Sequence, residues 1–456
     1  MESEILLRVQ LIRTVLSALR NDIRPELQSQ QALHRADLAE MMLARLAADT
    51  EYLTLAPQEN TPDESAVKIT AQVINTLRDD SSGLGPRQGE LLAEEIALFA
   101  ADDQRQRSDR EKRLAEVAKH DTQELHSAKE LSIPDQVYSD YLGPRIAAQQ
   151  GVAPADFSLS EVNIVPGGRS KGTILVTYNV NGQQQSLVIR RDFSASVTGV
   201  PVTYEYPIIE AVFRAGLPVP EPLWLEQDAA VLGGAFIVVK RAPGTTMGTL
   251  FHSNASPEFA RQFAATLARV HSVDLPRAGL LEHLNWGSEQ NPVRAMVDHF
   301  YQRYRERLSP VALLDAAFAW LYLQLDSLGL RRSLVHGDAG FHNTLGQGDV
   351  LTSLLDWEFA HAGDPAEDLA YCKHLVETVL PWEEFMQAYQ AAGGEQIAEG
   401  RMRFFTIWRT VQLAIQMGGA RSMFESGADQ DLRIAVIGFN SYPRILAQLA
   451  NDLAAC

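Results

Sequence analysis

The sequence predicts an α+β protein of two lobes, a small antiparallel sheet lobe and a mainly helical lobe, preceded by an all-α region. Three observations predict this. Apolar residues recur at three- and four-residue spacing up to about Pro134, then give way to short alternating runs. After Gly244 the pattern is helical again, with one β-like island from Ser333 to Asp356. At 456 residues the chain is also too long for one ordinary core. The expected divisions are a helical domain over 1–134 with no assigned role, a sheet lobe over 135–244 and a helical lobe over 245–456.

In the first region, Leu7, Leu11, Val15 and Leu19 form one helical stripe, and Leu38, Met41, Met42 and Leu46 another. Two more helices are expected at Ala66 to Leu77 and Gln88 to Ala100, separated by the turn-rich TLRDDSSGLGPR. Gln104 to Glu130 is dense in charge and reads as a solvated helix or a linker. This region contains no metal-spaced Cys/His set and no nucleophile with an evident partner. It is where a homo-oligomer contact could form.

The sheet lobe begins with SEVNIVP, GTILVTYNV and QSLVIRRD. Asn181-Gly182 joins the last two, and Asn-Gly between alternating apolar runs is a strong hairpin signal. A helix is expected over Tyr204 to Ala215 and a further strand in GGAFIVVKR.

Composition narrows the function classes. The formal charge is -18 without a basic stripe, which speaks against a nucleic-acid partner. No run reaches the roughly 18 to 20 apolar residues of a membrane span. The opening MESEILLRVQLIRTVLSALR is interrupted by Arg8, Arg13 and Arg20, an amphipathic pattern and not a signal peptide. Cys372 and Cys456 cannot build a disulfide framework. A cytoplasmic protein is expected.

The chemistry concentrates in LVHGDAGFHNTLGQGDVLTSLLDWE. His336-Gly337-Asp338 is followed by Asn343 five residues after the aspartate, then by a strand-turn-strand pattern ending at Asp356. Phosphoryl transfer passes through a loose transition state, so a protein mainly positions groups and neutralises charge. Asp338 can accept the hydrogen bond of an attacking hydroxyl and, late in the reaction, its proton. Asn343 and Asp356, brought together by the hairpin, can hold Mg2+ on the phosphates. Protein kinases use these three roles at closely similar spacing.

On these residues, with LLDWE, GDPAEDLA and the helix LARVHSVDL, the chain resembles the aminoglycoside phosphotransferase and choline kinase group of small-molecule kinases. The resemblance runs from about Tyr138 to the C-terminus. It implies a protein-kinase-like fold, ATP and Mg2+ as cofactors, and a small-molecule hydroxyl as acceptor. A protein kinase is disfavoured, because LDWE runs into GDPAEDLA without a long activation segment. A nucleotide-binding scaffold is the reading from another class.

The resemblance also assigns the nucleotide lobe. Gly167, Gly168, Ser170 and Lys171 correspond to the loop over the phosphates, although a Gly-Gly hairpin turn has the same look. Arg190 takes the place usually given to a phosphate-contacting lysine, with Glu205 as its partner and Glu210 as the rival. Val239 backs adenine, and the backbones of Lys240 and Ala242 supply its hydrogen bonds. His336 braces the loop. Asp364 and Asp368 tie the loop and cap the next helix. Glu358 reads either as a second acidic position near metal or substrate or as a helix-start carboxylate. Gly340 stands where relatives often carry His or Lys, and His342 is read as packing in the loop. For the acceptor, the carboxylates and aromatic rings around Glu358 and after it favour an ammonium-bearing alcohol or an aminoglycoside. A hydroxyacyl metabolite is the alternative, suggested by Arg401, Arg403 and Arg409.

Overall fold

The computed structural model describes residue 39 and residues 133–165, 171–193, 199–249, 252–425, 434 and 436–456. The helices expected before residue 133, and the oligomer contact expected there, lie outside the described residues, as do Gly167, Gly168 and Ser170. The described residues divide into two compact units, 133–292 with 331–398, and 293–330 with 399–456.

The first unit opens with helix α1, Asp135–Gln150. It packs on a five-stranded antiparallel sheet of β1 (Phe157–Val165), β2 (Lys171–Val180), β3 (Gln183–Asp192), β4 (Pro222–Glu226) and β5 (Phe236–Lys240), in the order β1-β2-β3-β5-β4. Alternation puts Ile174, Val176, Tyr178 and Val180 of β2 on the covered face with Leu187 and Ile189 of β3. Tyr138, Leu142 and Ile146 of α1 close that core. The β2–β3 hairpin turns at Asn181 (φ 51°) and Gly182 (φ 75°), with Val180 opposite Gln183. Both turn residues are therefore left-handed, as a two-residue type I′ turn requires. Helix α2, Val202–Arg214, follows β3. Its N-cap position is Pro201, which has no capping side chain, and the Asp192 carboxylate accepts the Val202 N–H instead (3.1 Å).

Short strand β6 (Thr245–Thr246) and helix α3 (Pro257–His271) lead to the β-like island. There β7 (Ser333–Val335) is followed by the hairpin β8 (Thr344–Gln347) and β9 (Val350–Leu354). The turn is Gly348-Asp349, set by the pairing of Gln347 with Val350. β6 pairs with β8, and β10 (His361–Gly363) pairs with β7. Helices α4 (Ala366–Val376) and α5 (Trp382–Ala391) complete the unit.

The second unit is helical, with segments Pro292–Arg307, Ala312–Gln324, Glu399–Glu425 and Tyr442–Ala454 among its described residues. Its core is aromatic, including Tyr301, Tyr304, Phe318 and Trp408. No helix among the described residues is long and apolar enough to cross a membrane.

The α+β, protein-kinase-like arrangement expected from the sequence is thus the observed one. Among the elements named above, α1, which runs through Gly143-Pro144, and the short strands β4, β6 and β10 were not expected. Because α1 closes the sheet core, Leu142→Ala should lower the unfolding free energy by about 2–5 kcal/mol in denaturant titration. A loss below about 1 kcal/mol would place α1 outside the core.

Candidate active site

The site grows from the loop between β7 and β8. Gly337 has φ 80°, and a Cβ there would lie 2.5 Å from the Phe359 carbonyl oxygen, so the turn needs glycine for both conformation and space. The turn is held from behind by Asp368 of α4. Its Oδ2 accepts the His336 N–H (2.8 Å) and its Oδ1 the Gly337 N–H (2.9 Å). His271, at the end of α3, donates from Nε2 to the same carboxylate at 3.0 Å, and its Nδ1 faces the Tyr389 hydroxyl at 2.8 Å. Burial raises the Asp368 pKa, but the His271 hydrogen bond and charge, with His336, outweigh it and hold the carboxyl below its ordinary value.

His336 joins the loop to the hairpin. Its Nε2–H donates to the Leu355 carbonyl at 2.9 Å, and its Nδ1 accepts the Asp338 N–H at 3.3 Å. Asn343 lies across the loop, where its Nδ2 donates to the Asp338 carbonyl (2.9 Å) and to Asp338 Oδ2 (2.8 Å). With the amide nitrogen committed in this way, Oδ1 is the atom left to act as a metal ligand. The Leu355 N–H donates to the Asn343 carbonyl at 2.8 Å, which brings Asp356 beside it. Asp356 has φ 65° and ψ 66°, a left-handed conformation that costs a non-glycine residue about 1–3 kcal/mol. Burial pushes the Asp338 pKa up. The hydrogen bond and electrostatic influence of His342, with a hydrogen bond from Tyr371, outweigh it, and the carboxyl sits below its ordinary value.

The sheet supplies two cations. Arg190 of β3 lies 3.3 Å from Glu205 of α2 and 2.8 Å from Asp356. Glu205 is fully buried, and it, not Glu210, is the partner observed for Arg190. Burial disfavours the Arg190 charge, but Glu205, Asp356 and Glu358 more than offset this and keep it protonated. Lys171, expected as a donor over the phosphates, is instead turned inward. It contacts Glu358 (3.3 Å), Asp192 (3.4 Å) and the Val200 carbonyl, because a buried ammonium must be paired. Glu358 lies in the first turn of the short helix Trp357–Phe359, as one of its two readings has it, and is also the buried counter-ion of Lys171. On β5, Val239 is buried, and the Lys240 N–H already donates to the Glu221 carbonyl (2.9 Å). Ala242 follows two residues beyond, just past the end of β5.

The oxygen donors Asn343 and Asp356 fit Mg2+, which takes one or two protein ligands and completes its shell with phosphate and water. His271 and Tyr389 were not foreseen as loop supports. His271 was visible only within LARVHSVDL, and Tyr389 gave no signal.

A kinase-like sheet, an HGD loop and a hairpin aspartate define a phosphotransferase of the protein-kinase-like class. The family model described as the phosphotransferase enzyme family, APH, matches residues 161–405, more than half of the 456 residues. The chain belongs to this family of phosphotransferases. It is 29% identical to acyl-CoA dehydrogenase family member 10 of Mus musculus over 43% of this chain and 19% of that protein. It is 32% identical to acyl-CoA dehydrogenase family member 11 of Gallus gallus over 37% of this chain and 22% of that one. The chain thus spans about a fifth of the length of these curated relatives. Among solved structures, a protein of Ralstonia eutropha provisionally named an aminoglycoside phosphotransferase shares the fold, with TM-score 0.54 and 19% identity over 71% of this chain and 98% of that one.

Asp368→Asn should cost about 3 kcal/mol at neutral pH, since it replaces a buried anion that accepts two backbone N–H groups. A folded-state pKa below the unfolded value gives stabilisation that is complete above about pH 4 and is lost as pH falls through the folded value. The deficit measured by denaturant titration should stay level from pH 8 to 5 and narrow only below about pH 4. A deficit that changes between pH 8 and 5 would mean that another group dominates.

Proposed function

We propose that the chain transfers the γ-phosphoryl group of ATP, with Mg2+, to a hydroxyl of a small molecule. The observation that carries the reading is the junction of Asp338 and Asn343, bonded at 2.8 Å, on a loop stitched to the Asp356 hairpin. Asp338 accepts the hydrogen bond of the incoming hydroxyl and takes its proton as the new O–P bond forms and the bond to the ADP oxygen breaks. Its depressed pKa keeps it anionic, and so ready to accept, at neutral pH. Asn343 Oδ1 and Asp356 would hold the Mg2+, which supplies charge neutralisation on the phosphates. Arg190, held charged by its carboxylates, is the sheet's candidate for the phosphate oxygens. Gly167, Gly168 and Ser170 would cover them, and Val239, Lys240 and Ala242 would seat the base.

Asp338→Asn should retain ATP binding and lose most turnover, read by calorimetry and by ADP release. Near-normal turnover would refute the role of Asp338. Asp356→Ala should weaken nucleotide binding in Mg2+ but not in chelator. An equal loss in both would make Asp356 structural.

For the acceptor, the basis of the preference for a cationic alcohol changes in the structure. Glu358 is paired with Lys171, Asp368 with His271 and the loop, and Glu367 with His361 at 3.2 Å. Asp364 accepts the Ala366 N–H, and Trp357 and Tyr371 are buried. Glu358, Asp368 and Glu367 thus serve the protein's own basic groups. A hydroxyacyl thioester becomes the stronger reading, supported by the acyl-CoA dehydrogenase family names of the curated relatives. Screening with ATP and Mg2+ should find hydroxyacyl thioesters phosphorylated ahead of choline and aminoglycosides. Turnover of the amino alcohols alone would reverse this order, and nucleotide binding without any turnover would favour a scaffold.

A further inference from the structure

We infer that His342 is a positioning residue for Asp338, and that Gly340 exists as glycine to admit the His342 ring. The inference rests on the phosphotransfer reading above and adds to it a residue pair that the HGD…N spacing does not reveal.

The loop reads Asp338-Ala-Gly340-Phe-His342-Asn343, so the position two after the aspartate carries no side chain. The imidazole two residues later folds back over that gap. A Cβ on residue 340 would lie 2.4 Å from His342 Cε1 and 2.5 Å from its Nδ1, closer than real Cβ contacts allow. Gly340 has φ -134° and ψ 165°, extended backbone open to any residue. A side chain here is therefore opposed by space and not by conformation, and the imidazole would have to move to admit it.

The ring so admitted puts Nε2 at 3.4 Å from both carboxylate oxygens of Asp338. The other nitrogen, Nδ1, is buried without a hydrogen-bond partner. An orphaned buried N–H is rarer than an under-used acceptor, so the proton belongs on Nε2, facing the carboxylate. With Asn343 Nδ2 at 2.8 Å and a hydrogen bond from Tyr371, Asp338 is gripped by three side chains. Such a carboxylate cannot rotate freely, and its remaining lone pair keeps one direction for the attacking hydroxyl. His342 makes no bond to the phosphates in this scheme. It acts through the orientation of Asp338.

The test is a mutant cycle in the full chain. His342→Ala should lower kcat about ten- to a hundredfold and leave KM for ATP within about twofold, because the base is misaimed while the nucleotide site is intact. Gly340→Ala should lower kcat to a similar extent by expelling the ring. The double variant should be no worse than His342→Ala alone, since the new methyl group then meets no imidazole. His342→Gln, which can present an amide N–H, should recover part of the loss. Independent, additive losses in the double variant, or unchanged kcat in both single variants of an enzyme that turns over, would overturn the inference. A readout without acceptor separates it from the phosphotransfer reading. Nitrogen NMR of imidazole-labelled protein should show His342 protonated on Nε2 and altered in Gly340→Ala. Protonation on Nδ1 in the wild type would overturn the inference even if phosphotransfer were established.

Discussion

The site depends on one buried anion. Asp368 accepts two consecutive backbone N–H groups, from His336 and Gly337, and a third hydrogen bond from His271. A carboxylate removed from water must find such donors, and these donors are the ones that fix the direction of the next residue, Asp338. The His271–Tyr389 contact then ties α3 and α5 to the same point. Positions of the helices and orientation of the loop are thereby one problem with one solution. A loosened Asp368 would release the loop from three elements at once.

A second set of charges links the sheet to the hairpin. Arg190 spans Glu205 and Asp356, while Lys171 spans Asp192 and Glu358. Asp192 also caps α2, the helix that carries Glu205. Thus strands β2 and β3, helix α2 and the end of the β8–β9 hairpin meet through ion pairs, most of them well shielded from water. Pairs of this kind contribute little net stability, because desolvation offsets most of their attraction. What they determine is geometry. The left-handed backbone of Asp356 persists beside Arg190 because its neighbours on both sides are already placed.

A count of charges along the chain does not say which of them face a ligand. Carboxylates and aromatic rings are numerous after Asp356, and from the sequence they suit an ammonium-bearing ligand. In the fold, Asp368, Glu367 and Glu358 serve the protein's own histidines and lysine, and Trp357 is buried in the core against His336, with ring centroids 4.7 Å apart and the planes tilted by 56°. A residue's chemistry is available to a ligand only after the fold's own unpaired groups have been satisfied.

Whatever depends on short spacing can be read from the sequence alone. Alternation and Asn181-Gly182 set the β2–β3 hairpin, and the five-residue interval from Asp338 to Asn343 sets the bond between them. The β8–β9 pattern returns Asp356 to the loop by local pairing alone. The sequence also pointed to the family through HGD, LLDWE and GDPAEDLA. Long-range packing alone turns Lys171 inward to Glu358, 187 residues away, and sets Tyr389 against His271. It also decided that α1 forms through Gly143-Pro144, because burial against the sheet outweighs a poor local propensity. The His342 ring over Gly340 lies between these cases, close in sequence yet fixed by packing. Spacing dictates which groups can meet, whereas the partners of buried charges are chosen by three-dimensional desolvation, which no local pattern records.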